Sequence, residues 1–297
     1  MPATLNPSQP NESLRAAVEE QLRTSPLNRL SQLDGGPIFE NPLVGFADGN
    51  DPLFQQYRTI IGAFHLTPRE VLERALRDAP ETPHASLDSP RVIGWILPIA
   101  EATRVANRAQ KDVPTIAWGH TRTFGEHFND ALRRHIVAML RAAGYLAAAP
   151  VVEPYFRTYS EGIDRPPASV WSERHVMYAA GLGTFGLSDG FITPRGIAMR
   201  CGSVVTNVPL EVTPRPYANH TANCLYLSQG KCAACVARCP AGAITREGGH
   251  DKRKCQEYTY GVLRPLFSAY GVEGEPGAGV GCGLCQTGVP CESCIPR

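Results

Sequence analysis

The chain has 297 residues, a formal net charge of +1 and 43% hydrophobic residues. This length accommodates two domains, and the hydrophobic content is that of a globular protein. No apolar run is long enough for a transmembrane helix, and the N-terminus lacks the apolar core of an export signal. The charge lacks the basic excess of nucleic-acid-binding proteins. We therefore expect a cytoplasmic protein with no membrane partner and no nucleic-acid partner.

The N-terminal segment, residues 1–85, is expected to be helical and extended and to pack on the core. Asn11 is the predicted N-cap of a helix over 12–23, whose apolar residues recur at four-residue spacing. Thr67 and Glu70 form a predicted capping box at the start of a second helix.

Residues 86–220 mix strands and helices, which predicts an α/β or α+β domain with a mixed sheet. The predicted elements are, in chain order, a buried strand over 92–98, a helix over 125–143, a strand over 145–148, a helix from Ser169 to Ala180, a glycine-rich loop over 181–186, and strands over 191–193 and 197–208. The loop satisfies G-x-G-x-x-G, but a dinucleotide-binding fingerprint needs a strand before it and a helix after it. The predicted order here is the reverse, so the glycines indicate either a tight connection or a close approach to a cofactor.

Nine of the ten cysteines lie at or after position 224. In a reducing compartment, grouped cysteines favour metal binding over disulfides. Cys232-x2-Cys235-x3-Cys239 followed by proline matches the end of the bacterial two-cluster run, whose fourth cysteine ligates the other cluster. Cys224 takes the first ligand position on a longer loop. Cys201 lies in a predicted strand and is interpreted as a core thiol.

Crossed ligation predicts two [4Fe–4S] clusters, the first with one ligand from the C-terminal stretch. Cys291 is the predicted fourth ligand of the first cluster, and Cys294 is its competitor. The predicted ligands are Cys224, Cys232, Cys235 and Cys291 for one cluster, and Cys239, Cys255, Cys282 and Cys285 for the other. The alternative is a pair of structural zinc sites, which also use paired C-x2-C motifs. Together these features predict a ferredoxin-like iron–sulfur domain over 221–297.

Several stretches resemble the epoxyqueuosine reductase and reductive dehalogenase group. They are, in chain order, SERHVMYAAGLGTFG, GSVVTNVPL, the cysteine-proline run, KCQEYTYG and GCGLCQ. The resemblance covers roughly residues 90–290 and implies a corrinoid-binding α/β domain joined to a ferredoxin-like module with two [4Fe–4S] clusters. It implies that cobalamin is a candidate second cofactor, and that Cys255 is the isolated cysteine of the second cluster.

The resemblance also implies site residues in the first domain. The expected cofactor-binding residues are Arg174, Gly181, Gly183, Thr184, Gly186 and Ser203. The candidate proton donors are Tyr155, Asp164 and His175, because a reductase needs an acid beside its electron source and burial can tune each of these groups. Pro167 stands where epoxyqueuosine reductases carry an aspartate.

The predicted function is an iron–sulfur oxidoreductase that reduces cobalamin or a directly bound small organic molecule. Its electrons would come from a ferredoxin-like or flavodoxin-like donor. One alternative is an electron carrier that serves a partner enzyme. Another is epoxyqueuosine reduction on tRNA, which the position of Pro167 and the near-neutral charge disfavour.

Overall fold

The computed structural model describes residues 4–164 and 166–297. The first part of the chain, up to the end of the long helix, contains α1 (Pro10–Thr24), β1 (Leu43–Asp48), α2 (Leu53–Ile60), α3 (Pro68–Asp78), β2 (Arg91–Pro98), α4 (Glu101–Arg108) and α5 (Ile116–Ala142). The middle part contains β3 (Ala147–Ala148), β4 (Thr158–Tyr159), β5 (Ala168–Ser169), α6 (Glu173–Ala179), β6 (Thr184–Phe185), β7 (Phe191–Ile192) and β8 (Met199–Thr206). The cysteine-rich part contains α7 (Leu225–Gln229), α8 (Ala234–Ala237), β9 (Ile244–Thr245), β10 (Gly249–His250), α9 (Lys252–Glu257), a π-helical turn (Tyr258–Val262) and α10 (Leu266–Ala269).

The main sheet has the order β1-β2-β8-β3, and all its strand pairs are antiparallel. The mixed α and β content is as predicted, but the expectation of a mixed sheet is wrong. Consecutive residues of β2 face opposite sides: Trp95 packs in the core under α1 and α5, whereas Ile96 packs in the core under α3 and α6. Both faces of β2 are buried, which explains its uninterrupted apolar sequence. The predicted boundaries of the three segments stay a prediction.

Three predicted helix starts are wrong. The long helix α5, predicted from residue 125, begins at Ile116, where the Thr115 side chain caps it. α1 begins at Pro10, and Asn11 is buried, where its side chain bonds both backbone groups of Glu211. α6 begins at Glu173, because Ser169 pairs in a short strand instead. No helix in the described part of the chain combines the length and apolarity that a membrane crossing requires.

The capping box at α3 is confirmed. The Thr67 hydroxyl accepts from the Glu70 backbone N–H, and the Glu70 carboxylate accepts from the Thr67 N–H.

Thr67→Ala should therefore lower the free energy of unfolding by about 1 kcal/mol. Urea unfolding followed by circular dichroism measures the change. Thr59→Ala, at an exposed position of α2, is the control and should stay within about 0.5 kcal/mol; equal effects of the two changes would contradict the assignment.

Candidate metal centres and the buried charge network

The first predicted set of cysteines is brought together although its members lie far apart in the chain. Cys224, Cys232, Cys235 and Cys291 all line one cavity. Burial raises the pKa of the Cys291 thiol to about 12, and the nearby thiols of the other three members add to the shift. Four thiols around one cavity form a donor set that fits an iron–sulfur cluster.

The second predicted set also converges. Burial raises the pKa of Cys285 well above its ordinary value, and the largest contributions from other thiols come from Cys282, Cys255 and Cys239, followed by Cys235 of the first set. Burial likewise raises the pKa of Cys282 to about 11, with Cys255 and Cys239 again contributing. The two sets meet because Cys239 follows Cys235 by one turn and Cys285 precedes Cys291.

Backbone N–H groups point at two of these sulfur atoms. The N–H of Ala234 donates to Cys232 Sγ at 3.4 Å, and that of Ala243 donates to Cys239 Sγ at 3.3 Å. Such donors stabilise thiolate charge and help to set the potential of a cluster. Cys232 has a positive φ of 82°, a conformation that is uncommon for a residue other than glycine and that strains the backbone at this position.

The remaining two cysteines are placed differently. Cys294 is exposed, and its thiol makes a long contact of 3.9 Å with the carbonyl oxygen of Pro290. Cys201 lies half-buried on β8, as predicted for a strand residue, and burial raises its pKa to about 12. Within residues 4–164 and 166–297, no three or more His, Cys, Asp or Glu side chains form a site for a single metal ion.

The glycine-rich loop packs against the protein's own backbone. A Cβ atom at Gly181, where φ is +71°, would lie 2.3 Å from the carbonyl oxygen of Pro214. A Cβ atom at Gly183 would lie 2.4 Å from that of Ile192. At Gly186 the nearest atom is a side-chain carbon at 3.2 Å. The loop follows a helix, α6, and contains the short strand β6, so its context is not that of a dinucleotide fingerprint, and its glycines serve a tight connection.

Two further predicted cofactor-binding residues make hydrogen bonds to the backbone of other segments of the chain. Thr184 is buried, and its hydroxyl accepts from the backbone N–H of Asn223, just before the first cysteine set. Arg174 is exposed, and its guanidinium donates to the carbonyl oxygen of Asp189.

Ser203 belongs to a buried charge network that the sequence did not reveal. Its hydroxyl donates to the Glu173 carboxylate at 2.6 Å. The Arg133 guanidinium, only 1% exposed, pairs with Glu173 at 3.1 Å, Glu126 at 2.8 Å and Asp130 at 2.7 Å. Burial raises the pKa of Glu173, although Arg133 opposes the shift. The only sequence signal was a charged residue beside the apolar face of the long helix α5.

The three predicted proton donors do not share one site. Tyr155 packs under the Arg74 guanidinium of α3, and burial raises the pKa of its hydroxyl, which has no hydrogen-bond partner among the described residues. Asp164 is exposed. His175 Nδ1 lies 2.8 Å from the Ser172 hydroxyl, and its ring contacts that of Phe185 in the glycine-rich loop. Burial lowers the pKa of His175 to about 3, so its imidazole is neutral at physiological pH.

A histidine that the sequence did not single out lies beside the second cysteine set. His250 Nδ1 lies 3.2 Å from the Asp189 carboxylate, and the imidazole also hydrogen-bonds the Cys255 thiol. His250 precedes Cys255 by five residues, a spacing that does not predict the contact.

No known protein-family profile matches the chain. Two curated proteins are similar to it: epoxyqueuosine reductases of Bacillus anthracis and Bacillus cereus, each 31% identical over 121 residues. The predicted resemblance is confirmed. Each match covers 40% of this chain and 29% of the relative, so the chain aligns with less than a third of either reductase. Both names agree with the predicted class of enzyme, a reductase.

Solved structures support the fold. A catabolic reductive dehalogenase has a TM-score of 0.51 at 16% identity, over 86% of this chain and 30% of its own. This likeness supports the mixed α and β fold and leaves the ferredoxin-like module as a prediction.

The expectation that nucleic acid is not a partner is contradicted. It rested on the near-neutral net charge. One solved structure similar to this chain is an epoxyqueuosine reductase with a tRNA-Tyr epoxyqueuosine-modified tRNA stem loop (16% identity, TM-score 0.47, covering 98% of this chain and 68% of that chain). Net charge alone does not exclude a nucleic-acid partner, because a local surface can bind RNA in a protein that is neutral as a whole.

Proposed function

We propose that the chain is an iron–sulfur reductase of the epoxyqueuosine reductase type, acting on epoxyqueuosine in tRNA in the cytoplasm. The observation that carries the proposal is the convergence of two sets of four thiols, one around a shared cavity. Such sets hold two [4Fe–4S] clusters, which supply electrons one at a time. The similarity to two proteins named for this reaction supports the choice of substrate.

The assigned ligands divide into an outer and an inner set. Cys232 is the exposed member of the eight, whereas the others are buried or half-buried. Lys231 and Arg246 lie beside it, and the Arg246 guanidinium donates to the Cys232 carbonyl oxygen at 3.3 Å. The first set therefore suits entry of electrons from a ferredoxin-like or flavodoxin-like donor, and the second set suits delivery to the substrate.

The proposal assigns no corrinoid contact to Gly181 or Gly183, because protein backbone occupies the space beside both glycines. We therefore derive no step through cobalamin. Incubation with hydroxocobalamin followed by desalting and cobalt analysis tests whether the chain retains it.

Reduction of an epoxide to an alkene takes two electrons and two protons and releases water. Tyr155, Asp164 and His175 remain the candidate proton donors. His175 is the one whose ring contacts the glycine-loop segment, through Phe185 at 4.8 Å. With its pKa lowered to about 3, it could donate only as a neutral imidazole, which is a weak acid.

The test is conversion of epoxyqueuosine in a tRNA stem loop by anaerobically purified, chemically reduced protein. Nucleoside analysis should show queuosine accumulating with the wild-type chain. Cys285→Ser, which removes one ligand of the second set, should give no product. Unchanged tRNA after incubation with protein that carries both reduced clusters would contradict the proposed substrate. Complementation of a queuosine-deficient strain gives the same comparison in cells.

A further inference from the structure

Asp189, His250 and Cys255 form a chain of hydrogen bonds that connects the glycine-loop segment with the second cysteine set. The His250 imidazole is largely buried, with 13% of its side chain exposed. Its Nδ1 faces the Asp189 carboxylate at 3.2 Å, and the Cys255 thiol lies within hydrogen-bonding reach of the ring. The Asp189 backbone is itself fixed, since its N–H donates to Gly186 and its carbonyl oxygen accepts from Arg174.

We propose that His250 is a positioning residue that sets the reduction potential of the second cluster by hydrogen-bonding the sulfur of Cys255. The proposal rests on the two-cluster function above and adds a role for a residue outside the eight ligands. Hydrogen bonds to ligand sulfurs and nearby partners of the ligands are two of the means by which a protein tunes an iron–sulfur centre.

The physical reason lies in charge. Adding an electron makes a cluster more negative, and an N–H group that donates to a ligand sulfur stabilises the more negative state more strongly. Loss of this hydrogen bond should therefore make the cluster harder to reduce. The effect should be confined to the second cluster, because the thiol that His250 contacts belongs to that set.

Asp189 gives the imidazole a fixed orientation. Its φ of 54° lies in the left-handed region, which is uncommon for a residue other than glycine. The tight turn that requires this conformation places the carboxylate opposite His250.

The test is a redox titration of the anaerobic, cluster-loaded protein, followed by electron paramagnetic resonance. His250→Phe keeps a ring but removes the donor. It should lower the reduction potential of one cluster by at least about 59 mV, which is a tenfold change in the equilibrium constant for one-electron reduction. His250→Gln keeps an N–H donor and should give a smaller shift. His127→Gln is the control: His127 lies on α5 and contacts the carbonyl oxygen of Pro276, so both potentials should stay as in the wild type.

The outcomes separate the inference from the proposed function. Wild-type protein without cluster signals would contradict the proposed function itself. Two clusters with potentials unchanged in both His250 variants would overturn the inference alone, as would loss of iron from His250→Gln, because His250 would then be needed for assembly. Alkylation of Cys255 by iodoacetamide in the iron-loaded wild type would also overturn it, since Cys255 would then be a free nucleophile paired with His250 and Asp189.

Discussion

Cys291→Ser should lose about half of the bound iron, from about eight to about four atoms per chain, because it removes one of four ligands from the first cluster. Cys291 lines the same cavity as the three other assigned ligands, and their thiols contribute to its raised pKa. Iron and acid-labile sulfide analysis of anaerobically purified protein measures the loss.

Cys294→Ser is the matched control, three residues further along the chain. Its thiol is exposed, and its one hydrogen-bond contact among the described residues is the long one to Pro290. This variant should keep the full complement of iron. The reverse result, with iron lost on changing Cys294 and kept on changing Cys291, would show that the C-terminal ligand is assigned wrongly.

Arg133→Met should destabilise the fold by about 3–5 kcal/mol, because it leaves the largely buried Glu173 carboxylate without its cation. Arg133 is the shared partner of Glu126, Asp130 and Glu173, and its pKa is raised because the carboxylates of Glu173 and Glu126 outweigh the opposing effect of burial. Urea unfolding of the anaerobic protein measures the change.

Two variants separate charge pairing from loss of packing. Arg134→Met, at the exposed neighbouring position of α5, should stay within about 0.5 kcal/mol. Adding Glu173→Gln to Arg133→Met should recover part of the loss, since it removes one of the unpaired charges. Additive losses in the double variant would contradict the pairing.

The loss caused by Arg133→Met should depend on pH. The pKa of Glu173 is already raised in the folded protein, and removal of the cation would raise it further. The folded variant then binds more protons than the unfolded chain, so its stability falls as pH rises. The deficit relative to wild type should therefore be largest near neutral pH and should shrink as pH falls toward about 4.3, the ordinary pKa of a glutamate.

The elements that sequence reasoning located correctly are those with local causes. The Thr67–Glu70 capping box needs only residues three apart, and the apolar run of β2 needs only burial on both faces. The cysteine sets were also predictable, because thiolate ligation leaves a spacing pattern in the chain. Their convergence agrees with the crossed assignment, and the ligation itself stays a proposal.

Features that depend on distant partners could not be predicted. Asn11 resembled an N-cap, but its side chain bonds Glu211, 200 residues away. Gly181 and Gly183 suggested an approach to a cofactor, whereas the closest atoms belong to segments that follow the loop. The pairing of Arg133 with Glu173 joins α5 to α6 across the sheet, and periodicity describes only the apolar residues of a helix.

An ion pair that no sequence motif indicates holds the C-terminal stretch to helix α4. The Glu292 carboxylate, 4% exposed, accepts three hydrogen bonds from the Arg108 guanidinium. This pair anchors the segment next to Cys291. Neither residue stands in a recognisable pattern, because an ion pair between α4 and a distant loop imposes no spacing on either.

The central claim is that the two cysteine sets hold two [4Fe–4S] clusters. Metal and sulfide analysis of the anaerobically purified chain, with its absorption spectrum, tests it most directly. The account predicts brown protein with broad absorption near about 400 nm and about eight iron and eight sulfide per chain. Colourless protein with about two zinc ions and no sulfide would contradict it.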